Sequence, residues 1–134
     1  MLITRASEYA LLSLVILVKS PSPVDSQVLS KELKISKSFL SKILQFLTKA
    51  KILKSFRGAN GGFMLARQSN KITILEVINA VEDKGASVMD CSSSKDLCPS
   101  NQADVCSLWP LLHKLQGKID DFLNTLTLDD LTKE

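Results

Sequence analysis

The sequence predicts a mainly α fold, a winged helix-turn-helix with a two-stranded β wing and a long C-terminal dimerisation helix. Three observations predict it. Apolar residues at Phe39, Leu40, Ile43, Leu44, Leu47 and Ala50 recur at steps of three and four, which places them on one face of a recognition helix. Two short runs, Ile52 to Phe56 and Phe63 to Ala66, flank Arg57-Gly58-Ala59-Asn60-Gly61-Gly62. Asn60-Gly61 is a strong hairpin signal there, because both residues tolerate positive φ. Charge is also polarised: residues 31–71 hold ten Lys or Arg against one acid, Glu32, while residues 72–134 hold five bases against eleven acids. The formal net charge of +3 hides this division. A dense positive segment beside an acidic one is the electrostatic footprint of a nucleic-acid binder. The plainer reading is a solvated lysine-rich face, but scattered surface lysines rarely coincide with helix and hairpin signals.

With 134 residues and 45% apolar content the chain can bury one core, as a single domain with an extension. The longest apolar run, Leu14 to Val18 preceded by Tyr9 to Leu12, is broken by Ser13 and too short to span a bilayer. Glu8 and the lack of a convincing cleavage site argue against a signal peptide. A cytoplasmic protein with no membrane partner is expected. Three cysteines within sixteen residues fit a metal or redox site better than a disulfide framework.

In chain order, Thr4 can cap a first helix to about Lys19, with Tyr9, Leu12, Val15 and Ile16 among the candidates for burial, and Pro21 and Pro23 end it. Ser26 opens a second helix to about Lys34, with Val28, Leu29 and Leu33 inward. The turn Lys34-Ile35-Ser36 then leads into the recognition helix, with Ser36 as its cap. The polar face of that helix carries Lys37, Ser38, Ser41, Lys42, Gln45 and Lys49, which can donate to phosphates or reach base edges. A fourth helix starts at a Thr73–Glu76 capping box, with Ile72 able to staple to Val77, and ends near Asp83. Residues 1–83 thus form the DNA-binding domain. Residues 84–106 hold Gly85, a Ser92-Ser93-Ser94 run, Pro99 and no sustained periodicity, so they read as a cysteine-bearing loop. Residues 107–134 supply the last helix and a C-terminal turn. Leu108, Leu111, Leu112, Leu115, Ile119, Phe122, Leu123 and Leu126 form a stripe, with Ser107 as cap, Pro110 in the first turn and a weaker Thr127–Asp130 capping box after it. Such a stripe can be core or interface. An interface is favoured, because the first four helices and the wing already form a compact unit, and a homodimer sets two recognition helices on one duplex.

Cys91, Cys98 and Cys106 are spaced C-x6-C-x7-C, without the C-x2-C knuckles of structural zinc sites. Thiolates are soft ligands, and three on a loop can wrap an iron-sulfur cluster, which needs a fourth protein ligand. The sole histidine, His113, lies two helical turns beyond Cys106, about 10 Å along the axis at a rise of roughly 1.5 Å per residue, which argues against the same iron. Spacing alone leaves cluster, zinc and free thiols open. No nucleophile–base pair or phosphate-cradling loop is visible, so an enzyme is not expected. A small iron-sulfur electron carrier is a reading from another class, but a recognition helix and wing would have no role in it.

These residues resemble a bacterial family of dimeric winged-helix regulators, the one that includes the cluster regulator IscR, the nitric-oxide sensor NsrR and the cysteine-metabolism regulator CymR. The likeness rests on Leu2-Ile3-Thr4 with Tyr9-Ala10-Leu11, Ile35-Ser36 with Phe39-Leu40, and Ser55-Phe56-Arg57-Gly58 with Gly61-Gly62. It continues through Val77-Ile78 with Ala80-Val81, the three cysteines, and Thr127-Leu128 with Asp130-Leu131. The resemblance implies a transcription factor on double-stranded DNA, with Ser36, Ser38, Ser41 and Lys42 facing the major groove and phosphates and Arg57 entering the minor groove. Lys37 on the same helix and Asn60 on the wing complete the expected DNA-binding set. Ser41 and Lys42 depart from relatives such as IscR, which have glutamate and glutamine there, so the operator is not legible. The resemblance also implies a [2Fe-2S] cluster on Cys91, Cys98 and Cys106. In the IscR type a histidine stands three residues after the third cysteine, where this chain has Trp109, which cannot ligate. In the NsrR type an acid of the first helix serves from the other protomer, and the matching position is Glu8. The wing and the Cys91-Ser92-Ser93 run lean toward NsrR, whereas the longer cysteine spacing departs from both types. Glu8 is otherwise an ordinary first-turn acid favoured by the helix dipole. A cluster-free, thiol- or metabolite-responsive regulator of the CymR kind is the second reading.

Overall fold

The hydroxyl of Thr4 accepts from the Ala6 N–H and opens α1 (Arg5–Val18) where the sequence indicated. The structure, a computed structural model, describes residues 3–133. Leu2, part of one motif above, lies outside them. The buried face of α1 differs from the expectation: Ser7, Ala10, Ser13, Leu14 and Leu17 point inward, while Leu12 is exposed and Tyr9, Val15 and Ile16 are half-buried. The helix is apolar around most of its circumference, so periodicity selects no face. Small residues let α3, α4 and α6 approach closely instead, and Ser13 satisfies its hydroxyl on the Tyr9 carbonyl at 2.7 Å.

Asp25 caps α2 (Ser26–Leu33) by accepting from the Gln27 N–H. Leu29 is its one fully buried residue, Leu33 is half-buried, and Val28, expected inside, is exposed. Lys34 ends α2 in the left-handed conformation (φ 57°), and the Ser30 hydroxyl bonds to the Ile35 carbonyl, which sets the turn into α3 (Lys37–Lys49). Ser36 caps α3 as expected, and Leu40, Ile43, Leu44 and Leu47 are buried. Phe39 is exposed although it meets Tyr9 edge-on, with ring centroids 5.6 Å apart, and Ala50 is the exposed C-cap.

The wing pairs β1 (Leu53–Phe56) with β2 (Gly62–Leu65) in antiparallel register, Leu53 opposite Leu65 and Phe56 opposite Gly62. The connection is not an Asn60-Gly61 two-residue turn. Positive φ falls on Gly58 and Gly62, and the loop closes through the Gly61 N–H on the Gly58 carbonyl at 3.0 Å. A third strand position that the sequence did not reveal, Val24, bridges Phe63 through hydrogen bonds of 3.0 and 2.9 Å. This fixes the conformation of Gly62, where a Cβ would lie 2.4 Å from the Val24 carbonyl carbon.

The Thr73–Glu76 capping box starts α4 (Ile74–Val81) as expected. The helix stops before Asp83 because Glu82 turns out in extended conformation, where its carboxylate accepts from the Thr4 and Ser7 hydroxyls of α1. After the cysteine loop, α5 (Trp109–Thr125) begins with Leu108 as N-cap rather than Ser107, and Pro110 sits in its first turn. The predicted stripe divides between two faces. Leu112 and Leu123 are buried and Ile119 and Leu126 half-buried, whereas Leu108, Leu111, Leu115 and Phe122 are between 41% and 62% exposed. Finally α6 (Leu128–Thr132), opened by the Thr127–Asp130 box, docks on α1. Thr127 bridges Thr73, with the Ile74 N–H donating to Leu126 O and the Leu128 N–H to Ile72 O, and Leu128 is completely buried. The core therefore joins α1, α3 and α4 to residues from both C-terminal helices.

Candidate nucleic-acid interface and cysteine loop

The first turn of α3 has no acidic residue, so its free N–H groups and dipole present a positive end beside the Ser36 cap. Ser36, Lys37, Ser38 and Lys42 are exposed along the helix, and Ser41 is half-buried. Arg57 and Asn60 are exposed on the wing loop. Among the described residues, Lys37, Lys42 and Arg57 have no acidic partner, so their charge is not neutralised within the protomer. Arg67 differs. It pairs with Glu76 at 3.0 Å and donates to the Lys51 and Lys71 carbonyls, so one of the ten bases has a structural role. Burial pushes the Glu76 carboxyl up, but the Thr73 N–H and the Arg67 guanidinium outweigh it and hold the carboxyl below its usual range. Beside the predicted DNA-binding set the structure places two further cations, Lys34, already counted among the ten bases, and Arg5, which pairs with Glu8. Arg5 and Lys34 flank Tyr9, Ile35, Ser36 and Phe39 around a groove at the start of α3. Lys34 was legible from its place before the cap, while Arg5 arrives only through the packing of α1.

Cys91, Cys98 and Cys106 are free and half-buried, in a segment whose only helical pieces are 3-10 turns at Lys95–Leu97 and Ala103–Val105. Among the described residues no three His, Cys, Asp or Glu side chains come together as a metal site, so the protomer does not bring the three thiols or Glu8 into one coordination sphere. Glu8 is half-exposed on α1 and pairs with Arg5 at 3.5 Å. The donor set suits iron all the same. Three thiolates are the ligand type an iron-sulfur cluster takes, and the short turns between them can rearrange without breaking a helix or sheet. Cys98 is distinctive. Its sulfur lies 3.6 Å from the Ser100 hydroxyl and accepts from the Gln102 N–H at 3.4 Å, contacts that favour thiolate and lower its pKa. His113 is engaged elsewhere, with Nδ1 3.0 Å from the Ser92 carbonyl.

Residues 3–134 match the family model described as Rrf2: Iron-dependent Transcriptional regulator. The chain belongs to the Rrf2 family. Relatives support the assignment. The HTH-type transcriptional regulator IscR of Pectobacterium atrosepticum is 32% identical over 133 residues, covering 98% of this chain and 79% of that protein. Protein aau3 of Rhizobium meliloti is 37% identical over 100 residues, covering 74% of this chain, and this match spans 63% of that protein's length. Among solved structures, CymR, the global cysteine regulator of B. subtilis, superposes with a TM-score of 0.71 at 24% identity, covering 97% of this chain and 95% of that one. T. potens IscR superposes with a TM-score of 0.73 at 23% identity, covering 96% and 84%. These two structures establish the winged-helix fold, and the family establishes a non-enzymatic, DNA-binding transcriptional regulator. Among the described residues of this Rrf2 chain, no helix is long and apolar enough to cross a membrane.

Proposed function

We propose that this chain is a cytoplasmic, homodimeric regulator that reads duplex DNA with Ser36, Lys37, Ser38, Ser41, Lys42, Arg57 and Asn60 and senses redox state, nitric oxide or iron-sulfur status through Cys91, Cys98 and Cys106. One observation carries the reading: unpaired cations on α3 and the wing share a single core with a helix, α5, that begins at the end of a thiol-bearing loop. The exposed row Leu108, Leu111, Leu115 and Phe122 supplies the dimer contact, burying apolar surface that water otherwise covers. Cys91, Cys98 and Cys106 would hold a [2Fe-2S] cluster, with Glu8 of the partner subunit as the fourth ligand. Such a cluster supplies a centre that oxidants and nitric oxide can alter. The chain's own part is to offer three soft thiolates and one harder carboxylate, and to connect that carboxylate to the start of α1 beside the Arg5–Ser36 groove.

Two measurements test this. Affinity for an operator fragment should fall steeply with salt, with a log–log slope of about −0.9 for each phosphate neutralised; a flat profile removes the electrostatic argument. Protein purified without oxygen should show a visible chromophore that any Cys→Ala variant abolishes. Glu8→Ala should retain a weakened, spectrally shifted one. A colourless wild type that still binds DNA selects the cluster-free thiol regulator, a reading supported by the thiolate-favouring contacts of Cys98.

A further inference from the structure

Three side chains at successive positions along one face of α5 hold the backbone of the loop at its first cysteine. Trp109 Nε1 donates to the Cys91 carbonyl at 2.8 Å. His113 Nδ1 faces the Ser92 carbonyl at 3.0 Å, and since a carbonyl can only accept, that nitrogen carries the proton. Gln116 makes the remaining contacts. Its Oε1 accepts from the Val88 N–H at 2.8 Å and the Ser92 hydroxyl at 2.6 Å, and its Nε2 donates to the Ala86 carbonyl at 2.7 Å and Asp120 Oδ1 at 2.8 Å. An amide has two donors and two acceptor lone pairs: both donors and the acceptor for Val88 are used, and the single Ser92 proton is shared between Oε1 and the Met89 carbonyl 2.7 Å away. Only 4% of Gln116 is exposed, so these bonds are made out of water, where losing one is costly.

Residues 93–106 are held differently. Among the described residues their hydrogen bonds and ion pair close within the segment: Ser94 with Asp96, Cys98 with Gln102, Lys95 with Asp104. Their one polar link to α5 is the Lys95 ammonium, 5.1 Å from the centre of the Trp109 ring.

We propose that Gln116, assisted by Trp109 and His113, is a positioning residue that makes Cys91 the fixed thiol of the loop, to which Cys98 and Cys106 must move. The inference rests on the loop being the sensing element. Any agent that gathers the three thiols then draws residues 93–106 onto α5, and Gln116 carries the resulting strain into the helix that bears Leu111 and Leu115.

The test is the rate of N-ethylmaleimide labelling at each cysteine, read by mass spectrometry on the reduced full chain. In the wild type Cys91 should be the slowest. Gln116→Leu should speed Cys91 by about fivefold or more, the equivalent of about one net hydrogen bond, while Cys98 and Cys106 stay within about twofold. Trp109→Phe keeps an aromatic ring but removes the donor to Cys91, so it should accelerate Cys91 alone even if the Leu variant fails to fold. Uniform acceleration of all three thiols, or an unchanged Cys91, overturns the proposal. DNA binding by wild type before and after complete thiol blocking is scored separately. No change there removes the sensing reading and leaves the assignment of Gln116 standing.

Discussion

Replacing Gly62 with alanine should be among the most damaging small changes in this chain. Gly62 has φ of +143°, and a Cβ there would lie 2.4 Å from Val24 C, 2.5 Å from Val24 O and 2.8 Å from Asp25 N, all backbone atoms that no rotamer change can move. Backbone strain at such a φ costs about 1–3 kcal/mol. Relieving the clash requires Val24 to leave Phe63, forfeiting the hydrogen bonds of 3.0 and 2.9 Å at about 1 kcal/mol each. Together these give about 3–5 kcal/mol, a large part of the stability of a small domain. Gly58→Ala is the control: its φ of +100° brings the same backbone strain of about 1–3 kcal/mol, but nothing lies within 4 Å of its Cβ, so no hydrogen bond is forfeited in addition. Urea titration of both variants, with m unchanged, measures the difference. If Gly62→Ala unfolds no more easily than Gly58→Ala, the Val24 bridge does not constrain the wing. In folded Gly62→Ala the wing is detached from Val24 ahead of α2, so operator affinity should fall more than affinity for random DNA.

Asp at both Leu115 and Phe122 should give a folded monomer in sedimentation, because both are exposed in the protomer and a charge in the interface costs several kcal/mol; a dimer that persists places the interface elsewhere. Thr73→Ala should destabilise by about 1 kcal/mol through loss of the α4 cap. The Glu76 carboxyl has a depressed folded pKa, so its contribution is complete above the unfolded pKa and disappears as pH falls through the folded one. The stability gap between wild type and Glu76→Gln, read from urea midpoints, should therefore close in acid; a gap independent of pH would show that the charge is not responsible. Alkylation of Cys98 should have a pH midpoint below that of a free thiol, and Ser100→Ala should raise it; equal midpoints would dismiss the hydroxyl contact.

Helix caps and the recognition helix were legible because they are local. Thr4, Ser36, Thr73 and Thr127 act within four residues of themselves, and the Leu40–Leu47 face needs only one helix's periodicity. What the sequence concealed depends on contacts across the chain. The buried face of α1 is chosen by what packs on it, Val24 becomes a strand position only through Phe63, and α5 presents two apolar faces that a single stripe of leucines cannot separate. Asn60-Gly61 misled because a five-residue wing loop can place its left-handed residues at the flanking glycines, and Gly62 is required there by its neighbour. At the candidate site the cations and cysteines could be read as residue types. Gln116 could not, since a glutamine inside a helix carries no signal until its four partners converge on it.

The junction where Thr127 bridges Thr73 and Leu128 enters the core also bears on incomplete copies of the protein. A chain cut short before Leu128, by a premature stop or a protease, keeps every residue proposed to touch DNA but leaves open a cavity the size of a leucine side chain. Emptying a buried leucine position costs about 3–5 kcal/mol, enough to keep much of such a fragment unfolded and exposed to degradation. A regulator with its reading head and its response element on separable domains would tolerate such fragments, and they would occupy operators while deaf to the signal. Here Leu128 of α6 completes the fold of the reading head, so copies cut short before it should be cleared before they can act as poisonous competitors.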